Sequence, residues 1–286
     1  MSARRNTAEV RILYQRQAAQ LRERLAQSKI VGQFVPTKWL DELEKIIGNY
    51  DFEKPLHLPD HMLFLAYSED LLLYSDEPDV ISTLDQGIDR LRITSGKSFN
   101  DKLRDLIRPR DSFVPTVFEL LILSKFAIEG RIAACEPTIS SGAPEARVQA
   151  GGDQFLIEAR AKMEKLRRGG MFSPAKMGHT LLGKAREKYS GQLSGATEPV
   201  VLFMSLDAYV VQDIEVEAML AELLKDPESR VLSALVFSDT YRAKNLKAWF
   251  HPDALRPLTR AMVDDLSLLL QLSKMIPSGR YLPRRK

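Results

Sequence analysis

The sequence predicts an α/β protein in which a mixed β-sheet follows a mostly α-helical region over residues 1–108. Two observations favour this class. Before residue 108 the apolar side chains recur mainly at helical spacing, whereas after Pro115 short apolar runs alternate with turn residues and helical segments. From residue 115 the predicted order is helix, three strands, helix, strand, helix, strand, which is typical of a mixed sheet covered by helices.

The N-terminal region is predicted to contain a succession of helices. Residues 7–31 carry leucines and valines near helical spacing among arginines and glutamines. The segment TKWLDELEKIIGNY ends near Gly48, and the segments LPDHMLFLAYSEDLLLY and VISTLDQGIDRLRI lie on either side of a break at Pro78. We therefore expect residues 1–108 to form a helical region that precedes the sheet.

A buried helix should open the second region, which we expect to span residues 109–260. Residues 115–129 are apolar almost all round, and Gly130 is well placed to end this helix. Three short runs, RIAACEPT, EARVQAG and DQFLIEARA, are separated by prolines and glycines, as in a three-stranded meander. A further helix is expected around residues 174–194.

The remaining segments complete the predicted sheet. PVVLFMSLD and RVLSALVFSD are near-continuous apolar runs, which indicates central strands covered on both faces. A helix near residues 212–225 separates them. The loop FHPDALRPL then leads to a C-terminal region, residues 261–286, with a helix through AMVDDLSLLLQLSKMI and a basic tail.

The composition limits the classes of function that the chain can serve. Lys and Arg total 41 against 38 Asp and Glu, and the net charge of +3 is too mild for a histone-like or membrane-coating protein. The single Cys135 excludes an internal disulfide and a multi-cysteine metal site, which fits a reducing compartment. No secretory leader is visible, and no apolar run approaches the roughly 18 to 20 residues of a membrane span. We therefore expect a cytoplasmic protein without a membrane partner.

The strand FLIEARA places Glu158 among residues typical of a buried strand. A lone buried carboxylate costs several kcal/mol, so this charge must be solvated, paired or bound to something. Because side chains alternate along a strand, Glu158 and Arg160 should share one face. A hairpin through the turn AGGD would bring Glu145 near Glu158. Two carboxylates beside a cation suit Mg²⁺, which prefers oxygen ligands and can activate water for attack on a phosphodiester.

These residues resemble the motif of the PD-(D/E)XK nuclease superfamily, which includes many restriction endonucleases and Holliday-junction resolvases. In that family an early helix contributes a Glu, the second strand carries Pro-Asp, and the third carries (Asp/Glu)-X-Lys. The matching residues here are Glu119 in VFELL, Pro144 and Glu145 in GAPEAR, Glu158 to Arg160 in LIEARA, and Gln192 in the following helix. The resemblance covers residues 112–240 and implies a restriction-endonuclease-like core of order αβββαβ.

The resemblance further implies a metal-dependent DNA endonuclease in which Glu145 and Glu158 hold Mg²⁺, with Mn²⁺ as a substitute. Glu119, Arg160 and Gln192 would be the other catalytic residues. Two residues depart from the family pattern, since Glu145 replaces an Asp and Arg160 replaces a Lys. Arginine stays protonated and cannot act as a base, although it can hold a phosphate oxygen or stabilise developing negative charge. The alternative is a catalytically inactive nuclease-fold protein that serves DNA or protein binding.

Some of these residues also have a purely structural interpretation. Glu158 and Arg160 would form a simple surface pair if their strand lay at the edge of the sheet. Glu119 stands three residues after Thr116, and the pattern Thr-x-x-Glu is typical of a capping box at a helix start. Glu119 equally shares a helical face with Ile122, which would direct it inward.

The expected partner is DNA, with RNA left open. The cationic run KMEKLRR follows the candidate strand directly and contains Lys162, Lys165, Arg167 and Arg168. A solvated loop is the simpler interpretation, but the position of the run suits a nucleic-acid backbone, whose binding is dominated by phosphate contacts. The helices predicted at residues 7–31 and 258–275 are candidates for contacts in a homo-oligomer.

Overall fold

The structure is a computed structural model that describes residues 7–34, 37–49, 80–95, 110–161, 182–205, 213–238, 245–272 and 274–276. Its helices are α1 (Thr7–Gln27), α2 (Val31–Phe34), α3 (Thr37–Asn49), α4 (Val80–Ser95), α5 (Arg110–Ile128), α6 (residues 182–192), α7 (Asp213–Leu223) and α8 (Arg260–Leu270). Its strands are β1 (Ile132–Cys135), β2 (Ala146–Ala150), β3 (Asp153–Arg160), β4 (Val200–Ser205), β5 (Ala234–Ser238), β6 (Lys247–Phe250) and β7 (Lys274–Ile276). A 3₁₀ turn, Pro227–Val231, precedes β5.

The seven described strands form one mixed sheet whose spatial order follows the chain from β1 to β7. β1, β2 and β3 pair antiparallel as a meander, and β3, β4 and β5 pair parallel. β6 is antiparallel to β5 and parallel to β7. Parallel neighbours need a crossover connection, and α6 and α7 lie in the connections that join β3 to β4 and β4 to β5. The predicted α/β class with a mixed sheet is confirmed, together with the order of elements from α5 to β5.

One face of the sheet, which we call the first face, packs against helices from early in the chain. Phe126 of α5 meets Phe155 of β3 and Phe203 of β4 edge-on, with ring centroids 6.2 and 6.1 Å apart. The same buried cluster extends through α4 to Leu21 of α1 and includes Met262 of α8. A continuous hydrophobic cluster therefore joins the described N-terminal helices to the sheet.

The opposite face, which we call the second face, carries Leu156, Leu202 and Leu235 and packs against α6, α7 and the 3₁₀ turn. Every residue of β4 and β5 is buried. These two strands are thus covered on both faces, as their continuous apolar runs predicted. Glu158 points to the second face, since it alternates with Ile157 of the first cluster.

Asp85 of α4 ties the start of the chain to the core. Its carboxylate accepts hydrogen bonds from the hydroxyl of Ser28 and from the three amides of residues 29–31, at 2.8 to 3.3 Å. Amides at the start of a helix have no intrahelical acceptor, so a carboxylate of another helix serves here as the cap of α2. The single helix predicted over residues 7–31 is for this reason interrupted after α1.

The start of α5 differs from the prediction, and its end agrees with it. The helix begins at Arg110, so that Pro115 and Thr116 lie inside it and Thr116 does not cap it. The predicted start at residue 115 is therefore five residues too late. At the other end Gly130 has a φ of 66°, and its amide and that of Arg131 close a Schellman motif onto the last turn.

The sequence pattern did not predict the last two strands, β6 and β7. Four and three residues are too few to establish a period of two. The helix expected through AMVDDLSLLLQLSKMI stops at Leu270, because Gln271 adopts a left-handed conformation with φ 50° and ψ 52°. Lys274–Ile276 then extends the sheet beside β6. No described helix combines the length and apolar character that crossing a membrane requires.

A buried histidine connects the end of β6 to the 3₁₀ turn. The N–H of Asp253 donates to Nδ1 of His251 at 3.1 Å, so Nε2 is the protonated nitrogen of the neutral ring. Nε2 lies 2.9 Å from Oγ of Ser229, whose hydroxyl donates to the carbonyl of Asp226 at 2.7 Å. Burial lowers the pKa of His251 below its ordinary value of 6.5. The folded protein therefore holds this ring neutral.

We expect His251 to reduce the stability of the protein in mild acid. As pH falls below 6.5, the unfolded chain binds a proton at this ring before the folded chain does, which lowers the free energy of unfolding until the folded pKa is passed. A His251→Gln variant lacks this contribution. The urea unfolding midpoints of both proteins are measured on either side of pH 6.5. As pH falls, the midpoint of the wild type should decrease more steeply than that of the variant. Parallel declines would contradict this assignment.

Candidate functional site

Glu158 is a charged residue buried within the sheet. It lies on β3, which is flanked by β2 and β4, and its side chain is 0% exposed. The ammonium of Lys188 forms an ion pair with Oε1 of Glu158, and Nε2 of Gln192 donates to Oε2 at 3.2 Å. Both carboxylate oxygens are thus engaged by α6. The interpretation of Glu158 as part of a surface pair on an edge strand is therefore wrong.

Lys188 and Gln192 reach Glu158 from a π-helical turn. The last five residues of α6, Lys188–Gln192, have π geometry, and the N–H of Leu193 donates to the carbonyl of Lys188 at 2.9 Å. The two side chains leave the turn on the same side, where Nζ of Lys188 donates to Oε1 of Gln192 at 2.6 Å. Short π-turns within helices are rare and frequently occur at functional sites.

The three side chains form a compact polar group beneath the surface. Lys188 is 14% exposed, whereas Glu158 is fully buried. One carboxylate and one ammonium cancel each other's charge, and the amide of Gln192 satisfies the second carboxylate oxygen. Such compensation is what allows ionised groups to remain in a protein interior.

Gln192 also holds the connection between β1 and β2. Its Nε2 donates to the carbonyl of Ala143 as well as to Glu158. Its own carbonyl accepts a hydrogen bond from the hydroxyl of Ser141 at 2.8 Å. A Cβ at Gly142 would lie 2.8 Å from Cγ of Gln192, so a larger residue there would push the two segments apart. The chain leading into β2 is therefore attached to the turn that compensates Glu158.

Glu145 lies opposite Glu158 across the β2–β3 hairpin. Ala146 pairs with Ile157, and continuing this antiparallel register by one residue sets Glu145 beside Glu158. Residues directly opposite in an antiparallel pair direct their side chains to the same face. Glu145 is half-buried. The two carboxylates proposed as metal ligands thus share the second face at the end of the hairpin.

Arg160 shares the second face with Glu158 but not its contacts. It is half-buried at the end of β3, where its backbone aligns with Met204 of β4. Its side chain makes no hydrogen bond or ion pair with the residues that the structure describes. The cation beside Glu158 is Lys188, which is not part of the sequence motif.

Glu119 lies on α5, which packs against the first face, on the other side of the sheet from Glu158. Within the described ranges, no three His, Cys, Asp or Glu side chains come together as a group able to hold a metal ion. Glu119 accordingly does not join Glu145 and Glu158 in a three-carboxylate site. The structure brings Glu145, Glu158 and Gln192 together and leaves Glu119 apart.

The cationic run with Lys162, Lys165, Arg167 and Arg168 lies outside the described residues, and its nucleic-acid contacts stay a prediction. Lys188 is the site residue that the sequence pattern missed. Its position four residues before Gln192 in a predicted helix was a usable signal, because residues so spaced share a helix face. The π geometry itself has no recognisable sequence pattern.

A second polar cluster holds the π-turn from its other side. The hydroxyl of Tyr189 donates to Oδ2 of Asp226 at 2.7 Å, and Nε of Arg186 donates to the same oxygen at 2.8 Å. Burial, followed by the hydrogen bond to Asp226, raises the pKa of Tyr189 to about 12. Desolvation by burial alone would raise the pKa of Asp226, but the hydrogen bonds from Tyr189, the Glu228 amide and Arg186 outweigh it, so that pKa is lowered. The π-turn is thus anchored to Asp226, the N-cap residue of the 3₁₀ turn.

The chemistry of the site is defined by four side chains: a buried carboxylate, an ammonium and an amide that contact it, and a second carboxylate opposite. No protein-family model, curated protein or solved structure matches the chain. The site is characterised by its own geometry, in which Lys188 and Gln192 of α6 meet Glu158 of β3.

We expect a Lys188→Met variant to be strongly destabilised. Removing the ammonium leaves the carboxylate of Glu158 buried without its cation, and breaking a buried ion pair in this way costs about 3–5 kcal/mol. Adding Glu158→Met to the same chain should recover most of this loss, because both charges are then gone. Urea unfolding measures the free energies.

Lys184→Met is the matched control. Lys184 lies on the same helix, and its partner Glu187, 2.5 Å away, has a side chain that is 56% exposed. Pairs of this kind contribute less than about 1 kcal/mol. Equal losses for Lys184→Met and Lys188→Met would show that the pair with Glu158 is not a buried ion pair.

Proposed function

We propose that the protein is a metal-dependent phosphodiesterase that cleaves DNA and is built on a restriction-endonuclease-like core. The observation that carries this proposal is the placement of Glu158 inside the second face, compensated by Lys188 and Gln192, with Glu145 opposite. An apolar side chain would fill that position of an interior strand at lower cost in free energy. Departures of this kind from good packing are expected at functional sites.

The order and pairing of the central elements support the proposed core. α5, β1, β2, β3, α6 and β4 follow one another as helix, three strands, helix and strand. The first three strands form an antiparallel meander, and β4 joins parallel to β3. Glu145 precedes the second strand directly, Glu158 lies in the third, and Gln192 lies in the following helix, in the order of the nuclease motif.

Glu145 and Glu158 would hold a divalent cation such as Mg²⁺ or Mn²⁺. Two carboxylates that face each other across one antiparallel pair offer the hard oxygen donors that these cations prefer. A bound cation would supply activation of water and neutralisation of charge on the phosphodiester. Because Lys188 pairs with Oε1 of Glu158, cation binding requires the ammonium to share or release that oxygen.

Lys188 would provide the ammonium that the family motif places two residues after the strand carboxylate, where this chain has Arg160. Its Nζ already contacts Glu158, whereas the fixed fork of an arginine differs in shape from a compact ammonium. An ammonium on a flexible stem can turn from Glu158 towards a phosphate oxygen without leaving the site. Arg160, on the same face, would bind a second phosphate oxygen.

DNA is the proposed substrate because the motif resembles that of DNA-cleaving enzymes and because a cationic run follows β3 in the chain. The run begins at Lys162, four residues after Glu158. Contacts between cations and phosphates dominate the affinity of nucleic-acid binding. The cations of this run would contact the DNA backbone beside the proposed cleavage chemistry.

A second candidate is a nuclease-fold protein that binds DNA or another protein without catalysis. The observation that favours it is the complete burial of Glu158, both of whose oxygens already have partners on α6. A carboxylate that is never released from Lys188 cannot take up a cation. In that case the polar group would serve the stability of the fold and the shape of a binding surface.

We expect the purified protein to cleave plasmid, linear or single-stranded DNA in Mg²⁺ or Mn²⁺. Glu158→Gln should reduce the rate by about 100-fold or more, because an amide keeps the shape of the side chain but is a poor ligand for a hard cation. Lys184→Met serves as a control for changes on the same helix. Cleavage that persists in Glu158→Gln would exclude this site, and salt-sensitive DNA binding without cleavage would favour the second candidate.

Two charge-conserving variants separate the proposed roles of the cations. Lys188→Arg keeps the positive charge beside Glu158 but changes its shape, and we expect kcat to fall by at least about 10-fold. Arg160→Lys restores the residue of the family motif and should change kcat by less than that. Steady-state cleavage of a defined DNA duplex measures both values. The reverse order of effects would assign the catalytic cation to Arg160.

A further inference from the structure

The β1–β2 connection, residues 136–145, contacts the end of α6 and the turn after it, residues 188–195. We call this contact the clasp. Ser141 is at its centre. Its hydroxyl donates to the carbonyl of Gln192 and accepts from the N–H of Gly195, with both distances 2.8 Å. Ser140 adds one longer hydrogen bond, 3.3 Å, to the carbonyl of Gly195. One hydroxyl thus connects two backbone groups of α6 and its C-terminal extension.

The connection itself is internally braced. The N–H of Glu136 donates to the carbonyl of Glu145 at 2.9 Å, which closes its base. Nearer the tip, Ile139 and Gly142 exchange two backbone hydrogen bonds, of 2.8 and 3.2 Å. The segment that leads from Ser141 to Glu145 is thus held by backbone hydrogen bonds near both of its ends.

The other side of the clasp is the π-turn. The carbonyl of Gln192 receives the Ser141 hydroxyl, while the Gln192 side chain contacts Ala143, Lys188 and Glu158. Fixing the backbone of Gln192 therefore also fixes the amide that spans from the connection to the buried carboxylate. Gln192 thus contacts Glu158 directly and holds the connection at Ala143, two residues before Glu145.

We propose that Ser141 is a positioning residue that sets the distance between the two proposed metal ligands, Glu145 and Glu158, through Gln192. This inference rests on the proposed function for its catalytic consequence. The hydroxyl of Ser141 holds the π-turn whether or not the site cleaves DNA, so this part of the inference does not depend on catalysis. The neighbouring Ser140, with a single longer bond at the surface, supplies a matched control.

The test compares the full-length wild type with Ser141→Ala, Ser141→Thr and Ser140→Ala. The first measurement is cleavage of a DNA duplex in Mn²⁺, resolved into kcat and KM. The second is acylation of Lys188 by an amine-reactive ester, followed by mass spectrometry, with Lys184 of the same helix as the internal reference. In Ser141→Ala we expect kcat to fall by about 10-fold with KM for DNA unchanged, and Lys188 to react several-fold faster relative to Lys184.

Ser141→Thr keeps the hydroxyl and should restore both readouts, and Ser140→Ala should leave them near the wild type. If the wild type does not cleave DNA but Lys188 still becomes more reactive in Ser141→Ala, the proposed function fails and the positioning role stands. If the relative reactivity of Lys188 is the same in wild type and Ser141→Ala, the positioning role is overturned. Faster labelling of Lys184 and Lys188 alike, or no recovery in Ser141→Thr, would also overturn it.

Discussion

A carboxylate inside an interior strand must be neutralised by groups that reach it through the covering layer, and the arrangement around Glu158 follows from this requirement. The backbone groups of β3 are committed to β2 and β4, and the side chain of Arg160 on the same face makes no ion pair with Glu158. Compensation therefore comes from the helix above, as the ammonium of Lys188 and the amide of Gln192. In a low-dielectric interior an uncompensated charge would cost several kcal/mol, a large share of the stability of a domain.

The π-turn is the local consequence of this requirement. It brings Lys188 and Gln192 to the same carboxylate while they also contact each other. The turn is held from two directions, by the clasp on one side and by Tyr189 with Asp226 on the other. The first face of the sheet shows the contrast, since its helices meet the strands through rings such as Phe126 and Phe155. The buried ion pair between Glu158 and Lys188 lies on the second face, where the hairpin and α6 converge.

The sequence predicted most of the sheet because its strands bear strong local signals. β2 and β3 are separated by a Gly-Gly turn, and β4 and β5 are continuous apolar runs, so their positions follow from pattern alone. β6 and β7 have no such signal, because four and three residues show no periodicity and their pairing depends on strands distant in the chain. The start of α5 was placed too late because Pro115 is accommodated inside the helix.

The candidate site was predicted on the hairpin from strand geometry, and at Gln192 from the family resemblance alone. Strand alternation placed Glu158 and Arg160 on one face, and the antiparallel register placed Glu145 opposite Glu158. A contact between a helix and a strand has no fixed offset in sequence, so the strand motif did not identify the compensating cation. The motif directed attention to Arg160, whereas the packing of α6 brings Lys188 to the carboxylate.

This difference bears on the arginine that the chain has where the proposed nuclease motif has lysine. If the residue at position 160 of β3 supplied the cation of the site, arginine would alter the chemistry directly. The planar fork of its guanidinium cannot reproduce a compact ammonium. What the carboxylate requires, however, is an ammonium within contact distance, and the helix supplies one independently of the strand. Arg160 is then released from pairing with Glu158 and sits half-buried on the same face. An arginine at this motif position therefore does not mean that the site lacks an ammonium, because Lys188 of α6 supplies one.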